Sequence, residues 1–305
     1  MARILLRALA ALSLSLLSIA CQTVPYTNRT QLALHSESEM NQLGLQAFQQ
    51  TLSESKTITT GPQFTMVKKV SDRIAAAAEN PEPGMEKPGY QWQVALIDSP
   101  QINAWCLPGG KMGVYTGILP VTQDEAGLAV VMGHEVAHAI AQHGNERMSQ
   151  GVLAQFGLTA ADAFAGVAKM SPTARQGLME ILGAGTNVAI MLPFSRSHES
   201  EADHIGLILM AKAGYDPSEA PKFWERMAKM AGGGGTPEFL STHPSHETRI
   251  KDLQGWIPEA MKYYKPGGTA PVAPVKGPQT PAGSAAPSGS VPKPKIPSGG
   301  GMSSF

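Results

Sequence analysis

Apolar positions recur at helical spacing over residues 37–52 and again over 64–78, which predicts two amphipathic helices early in the chain. Residues 92–97 alternate apolar and polar positions and predict a short strand. Residues 102–107 and 112–116 flank Pro108-Gly109-Gly110-Lys111, and this layout predicts a β-hairpin closed by a glycine turn. Beyond Thr122 the pattern is helical. One helix is expected to start at Thr122, with Glu125 three residues on as a capping box. Leu128, Val131, Met132, Val136, Ala139 and Ile140 continue it, and Gly144 is a suitable stop. A second opens near Ser195 and runs to about Ala213, with Gly214 beyond it. The expected fold class is α+β, mainly helical, with a small sheet or hairpin.

The two ends of the chain differ from this middle. Residues 1–20 carry Arg3 and Arg7, then an apolar run from Ala8 to Ala20 without an acid, the layout of a bacterial secretion signal. Ser18-Ile19-Ala20-Cys21 resembles a lipobox, although Ser18 stands where leucine is usual. Cys21 is therefore expected to carry a lipid, and Gln22 favours the outer membrane. Cys106 is the only other cysteine, so a lipidated Cys21 leaves no internal disulfide. Residues 265–305 are mainly Pro, Gly, Ala and Ser and have almost nothing large and apolar to bury, so a disordered tail is expected. One folded domain, 30–260, lies between. Within it, 151–194 is rich in Ala, Gly, Leu and Met. Its uncharged run, 181–194, is shorter than the ~20 residues a membrane span needs. A helical flap over a cleft, or a surface resting on a bilayer, is the expectation there. Lysine plus arginine and aspartate plus glutamate each number 24, so no electrostatic footprint for nucleic acid is expected.

His134-Glu135-Val136-Ala137-His138 is the chemical centre of the sequence. On a helix the two histidines stand one turn apart on one face, so both imidazoles can reach a single ion. Glu135, rotated by about 100° from His134, can address a water without being a ligand. A second helix opens with Ser195-Arg196-Ser197-His198-Glu199-Ser200-Glu201-Ala202-Asp203. Glu199 and Asp203 share a face. Glu199 would complete a two-histidine, one-glutamate metal site, and Asp203 would hydrogen-bond a ligand histidine from behind. Glu201 is the rival ligand, on another face. His143, His35, His198 and His204 belong to no constellation and read as packing or surface residues.

These motifs, together with Thr242-His243-Pro244 and the following Arg249, resemble the gluzincin metallopeptidases, in particular the group of HtpX, the CAAX prenyl proteases, BepA and LoiP. The segment from Asn103 to Gly110 and Gly117-Ile118-Leu119 carry the likeness further, over residues 25–257. The resemblance implies a zincin-type domain with an edge strand beside the active-site helix, and one Zn2+ per chain held by His134, His138 and Glu199. It implies Glu135 as general base and His243 and Arg249 as donors to the developing oxyanion. His243 would be either that donor or a fourth ligand at rest, with His246 as its alternative. Asn103 and Ala104 would pair with an extended substrate, and Arg196 would support Glu199 electrostatically. BepA's C-terminal helical repeats have no counterpart, so the layout is nearer that of LoiP. The implied protein is a lipid-anchored periplasmic endopeptidase acting on misfolded or stalled envelope proteins. A latent, chaperone-like zinc module, or an adaptor working through its tail, are the alternatives.

Overall fold

The computed structural model describes residues 21–152, 195–231, 237–243 and 248–267. Strands β1 (Cys21–Thr23) and β2 (Thr30–Leu32) form an antiparallel pair. Helix α1 (Glu37–Glu54) starts at Ser36, whose hydroxyl accepts from the Glu39 amide while the Glu39 carboxylate reaches back to the Ser36 amide. A two-residue strand, β3 (Thr57–Ile58), leads to helix α2 (Pro62–Ala78). Proline at its first helical position gives up an amide that would have no partner there. Val67, Val70 and Ile74 turn one face of α2 into the core.

Strands β4 (Gln93–Ile97), β5 (Ala104–Leu107) and β6 (Lys111–Tyr115) complete a sheet of order β3-β4-β6-β5. The expected hairpin is β5 and β6, in antiparallel register with Trp105 opposite Gly113. β6 also runs parallel to β4, so the hairpin folds its second strand into the sheet and leaves β5 at an edge. The turn needs its glycines. Gly109 and Gly110 both have φ of 76°, and a Cβ on Gly110 would stand 2.6 Å from the Trp92 ring. Buried Lys111 gives its ammonium to the Gly109 and Gln91 carbonyls at this turn.

A 3-10 turn and the short α3 (Leu119–Thr122) feed the central helix α4 (Glu125–Ile140). Every residue of α4 from Gly127 to Ile140 is buried, as suits a helix packed on all sides. Thr122 does not cap it. Thr122 ends α3, and Asp124 is the cap, its carboxylate accepting from the Gly127 amide. The helix also stops four residues before Gly144. Gln142 takes the left-handed conformation (φ 53°), and helical turns resume over 143–152. After 153–194, which lie outside the described residues, come α5 (Arg196–Lys212), α6 (Glu219–Ala231), α7 (Glu238–Thr242) and α8 (Arg249–Ala260).

Helices α4 and α5 cross backbone to backbone. A Cβ on Gly133 would meet the Gly206 carbonyl oxygen at 2.7 Å, and one on Gly206 would meet the His134 amide nitrogen at 2.8 Å. Gly206 shares a helical stripe with Glu199 and Asp203, so this crossing brings both carboxylates to the His134 face of α4. Around it packs one main apolar core that includes Ile74, Leu96, Met112, Leu128, Met132, Ile205 and Phe223. Among the described residues no helix is long and apolar enough to cross a membrane. The α+β, mainly helical class agrees with the expectation.

Candidate metal centre

His134, His138, Glu199 and His243 each offer one donor atom, and these four atoms lie within 4.8 Å of one another, all buried. Helix α4 supplies the first two at one-turn spacing, α5 the third, and the residue capping α7 the fourth. His134 Nε2 stands 3.1 Å from His138 Nε2 and 3.3 Å from His243 Nδ1. Glu199 is 3.0 Å from His243 Nδ1, 3.4 Å from His138 Nε2 and 3.5 Å from His134 Nε2. A tetrahedral ion with ligands at ~2.0–2.2 Å has edges of roughly 3.3–3.6 Å, and this set is close to that. The Glu199 Oε2 atom is buried and accepts no well-formed hydrogen bond, although the Arg249 guanidinium stands 3.2 Å away. Converging nitrogen lone pairs and a carboxylate repel unless a cation lies among them, so the residues present fit a metal ion.

Each histidine of α4 is held from behind. His134 Nδ1 lies 2.9 Å from Asp203 Oδ1, which leaves Nε2 for the ion once Nδ1–H donates. Arg249 grips Asp203 with Nε and Nη2, both at 2.7 Å, and approaches Glu199 at 3.2 Å. Its guanidinium lies 3.3 Å from the centre of the Trp224 ring. Arg249 is thus engaged by two carboxylates. His138 Nδ1 meets His143 Nδ1 at 2.8 Å, and His143 Nε2 meets Glu201 Oε2 at 2.9 Å. Glu201, the rival ligand, is not among the four donors but pairs with His143, and neither His143 nor His198 is the isolated packing or surface residue its sequence context suggests. All three are buried directly behind the cluster.

Burial alone would raise Glu199, but His243 and the two histidines of α4 hold it well below the usual carboxylate range. Burial raises Glu135, and nearby cations only partly oppose this. Burial lowers His134, yet Asp203 and Glu199 outweigh that and bring it up to about 9, so an ion entering this set displaces a proton. Burial dominates at His138, which is held well below its ordinary value, and at His143, which drops to about 4. Glu135 Oε1 is buried with no hydrogen-bond partner, 3.4 Å from His243 Nε2.

A groove of about 380 Å³ runs from His138 and His243 along the edge strand. Asn103, Ala104, Trp105 and Leu107 form one wall, and Met40, Leu43 and Ala47 of α1 the other. Trp105 lies so flat over Gly113 that a Cβ there would stand 2.2 Å from the indole. Ala104 opens the edge strand β5 and Asn103 precedes it, and both line this groove. Arg196 is not brought into the cluster: it is exposed at the first turn of α5 and makes no hydrogen bond or ion pair with the cluster among the described residues. His246, the Cys21 side chain, residues 1–20 and the tail beyond residue 267 lie outside the described residues.

A helix carrying two histidines and a glutamate, a carboxylate from a second helix and an edge strand alongside define a metalloendopeptidase of zincin type. The chain belongs to peptidase family M48, whose model matches residues 62–257, more than half of its length. It is similar to the mitochondrial metalloendopeptidase OMA1 of Schizosaccharomyces pombe, 35% identical over 242 residues, covering 78% of this chain and 67% of that protein. Human metalloendopeptidase OMA1 is 30% identical over 254 residues, covering 78% and 46%. The β-barrel assembly-enhancing protease of Escherichia coli is 31% identical over 162 residues, covering 52% and 33%. The chain thus spans from about a third to two thirds of these relatives' length. The motifs alone had not pointed to the OMA1 proteins.

Proposed function

We propose that this chain is a zinc-dependent endopeptidase that cuts extended segments of misfolded or stalled cell-envelope proteins. The observation that carries the proposal is the four-donor cluster opening into a groove bounded by an edge strand. Three imidazole nitrogens and one carboxylate suit zinc. The ion, when bound, supplies Lewis-acid polarisation of the scissile carbonyl and makes a water more acidic.

The chain's own residues do the rest. An unfolded segment adds to the edge of β5 through main-chain hydrogen bonds and lays apolar side chains against Met40, Leu43 and Leu107. Glu135, raised by burial, takes the proton of the attacking water and passes it to the leaving amine. His243, once turned from Glu199, donates to the developing oxyanion. Arg249, bound to Asp203 and Glu199, orients both rather than reaching the substrate. The signal-like residues before Cys21 support it as a lipid anchor, and Gln22 favours the outer membrane. The Escherichia coli relative's name, which refers to β-barrel assembly, supports an envelope role.

A latent or chaperone-like module is the second reading, and one contact favours it. His243 stands within 3.0–3.4 Å of Glu199, His134 and Glu135, the position of a fourth ligand that closes the site. Chelator-stripped protein should regain casein cleavage with about one equivalent of zinc. Cleavage that needs no metal would overturn the proposal, and cleavage only in His243→Ala would favour latency.

A further inference from the structure

Both histidines of α4 end on a carboxylate held by an arginine, but by different routes. His134 reaches Asp203 directly, with Arg249 behind it. His138 reaches Glu201 through His143, with Arg29 behind it. Arg29 binds Glu201 at 2.9 Å through Nε and Glu146 at 2.8 Å through Nη2, and Glu146 in turn meets His198 Nε2 at 3.0 Å. The His198 ring stacks on His143, with centroids 4.4 Å apart and planes at 20°. The left-handed Gln142 turns the chain so that His143 points back at His138.

We propose that His143 and Glu201, fastened by Arg29, are positioning residues that set the tautomer of His138. The proposal rests on the reading of His138 as a metal ligand. The carboxylate of Glu201 can only accept, so His143 Nε2 carries hydrogen and donates. A neutral His143 then presents a bare Nδ1, and the 2.8 Å contact requires His138 Nδ1 to supply the proton. His138 Nε2 is left bare and aimed at the cluster. Arg29 precedes β2 and lies outside the family match at 62–257, so the N-terminal hairpin contributes to the metal site.

The test measures zinc affinity of the full chain by chelator competition, with the absorption spectrum of the cobalt-loaded protein as a second readout. His143→Leu should bind zinc ~10–100-fold more weakly, the usual effect of losing such a partner, and shift the cobalt bands. His143→Asn, whose Oδ1 can accept in place of Nδ1, should recover most of the affinity. Arg29→Met should weaken binding more than Arg29→Lys, and this pair decides the matter if His143→Leu does not fold. Equal affinity in wild type and His143→Leu, or equal loss in His143→Leu and His143→Asn, would overturn the relay. Wild type that binds no zinc would instead overturn the ligand assignment itself.

Discussion

Glu135 and Glu199 are two buried glutamates beside the same histidines, yet their surroundings drive them apart. Glu199 faces three imidazoles and is held ionised, as an ion-binding group must be. Glu135 has an oxygen without a hydrogen-bond partner and is raised, as suits a group that must accept a proton. Asp203 acts one step further out, fixing His134 while neutralising buried Arg249. Asp203→Asn should therefore lower zinc affinity by ~10–100-fold in a chelator titration, without removing any donor atom. The pair His134 and His138 was readable in sequence because one helical turn separates them. The third donor, Glu199, was readable from its pairing with Asp203. His143 was not: its acceptor Glu201 lies 58 residues away, and the turn that aims it is made by a glutamine rather than a glycine.

Among elements, the crossing of α4 and α5 sets the geometry of the centre. Gly133 and Gly206 allow contact at backbone distance, and the carboxylates reach the histidines because nothing stands between the helices. Gly206→Val should push them apart, costing about 1–3 kcal/mol by overpacking and weakening zinc binding as well. Thermal unfolding with and without zinc would show both effects. The helices and the β5–β6 hairpin were legible, since their apolar periods and turn glycines are local signals. The parallel pairing of β4 with β6 was not, because a hairpin pattern says nothing about a third strand. The strands β1 and β2 are three residues each, too short for alternation to register.

Across the whole molecule, the hairpin before α1 is tied to the rear of the metal site through Arg29, which bridges Glu146 and Glu201. Burial opposes ionisation of Glu201, but His143 and Arg29 prevail and hold its pKa at about 2, below the ordinary 4.5. A depressed folded value contributes stability that is complete above pH 4.5 and is lost as pH falls toward 2. Glu201→Gln should accordingly show a shallower acid slope than wild type across that window, measured by denaturant unfolding. Removing metal from the wild-type protein should also lower its melting temperature, because the donors meet only in the folded state. No local pattern could have announced this long-range tie: Arg29 and Glu201 are 172 residues apart.

The central claim is that Glu135 is the base of a zinc endopeptidase. Casein cleavage by wild type and Glu135→Gln, with zinc content measured on both, tests it most directly. The account predicts about one zinc in each protein, cleavage by wild type and a ~10²–10⁴-fold loss in the variant. Equal cleavage by the two zinc-loaded proteins would contradict it.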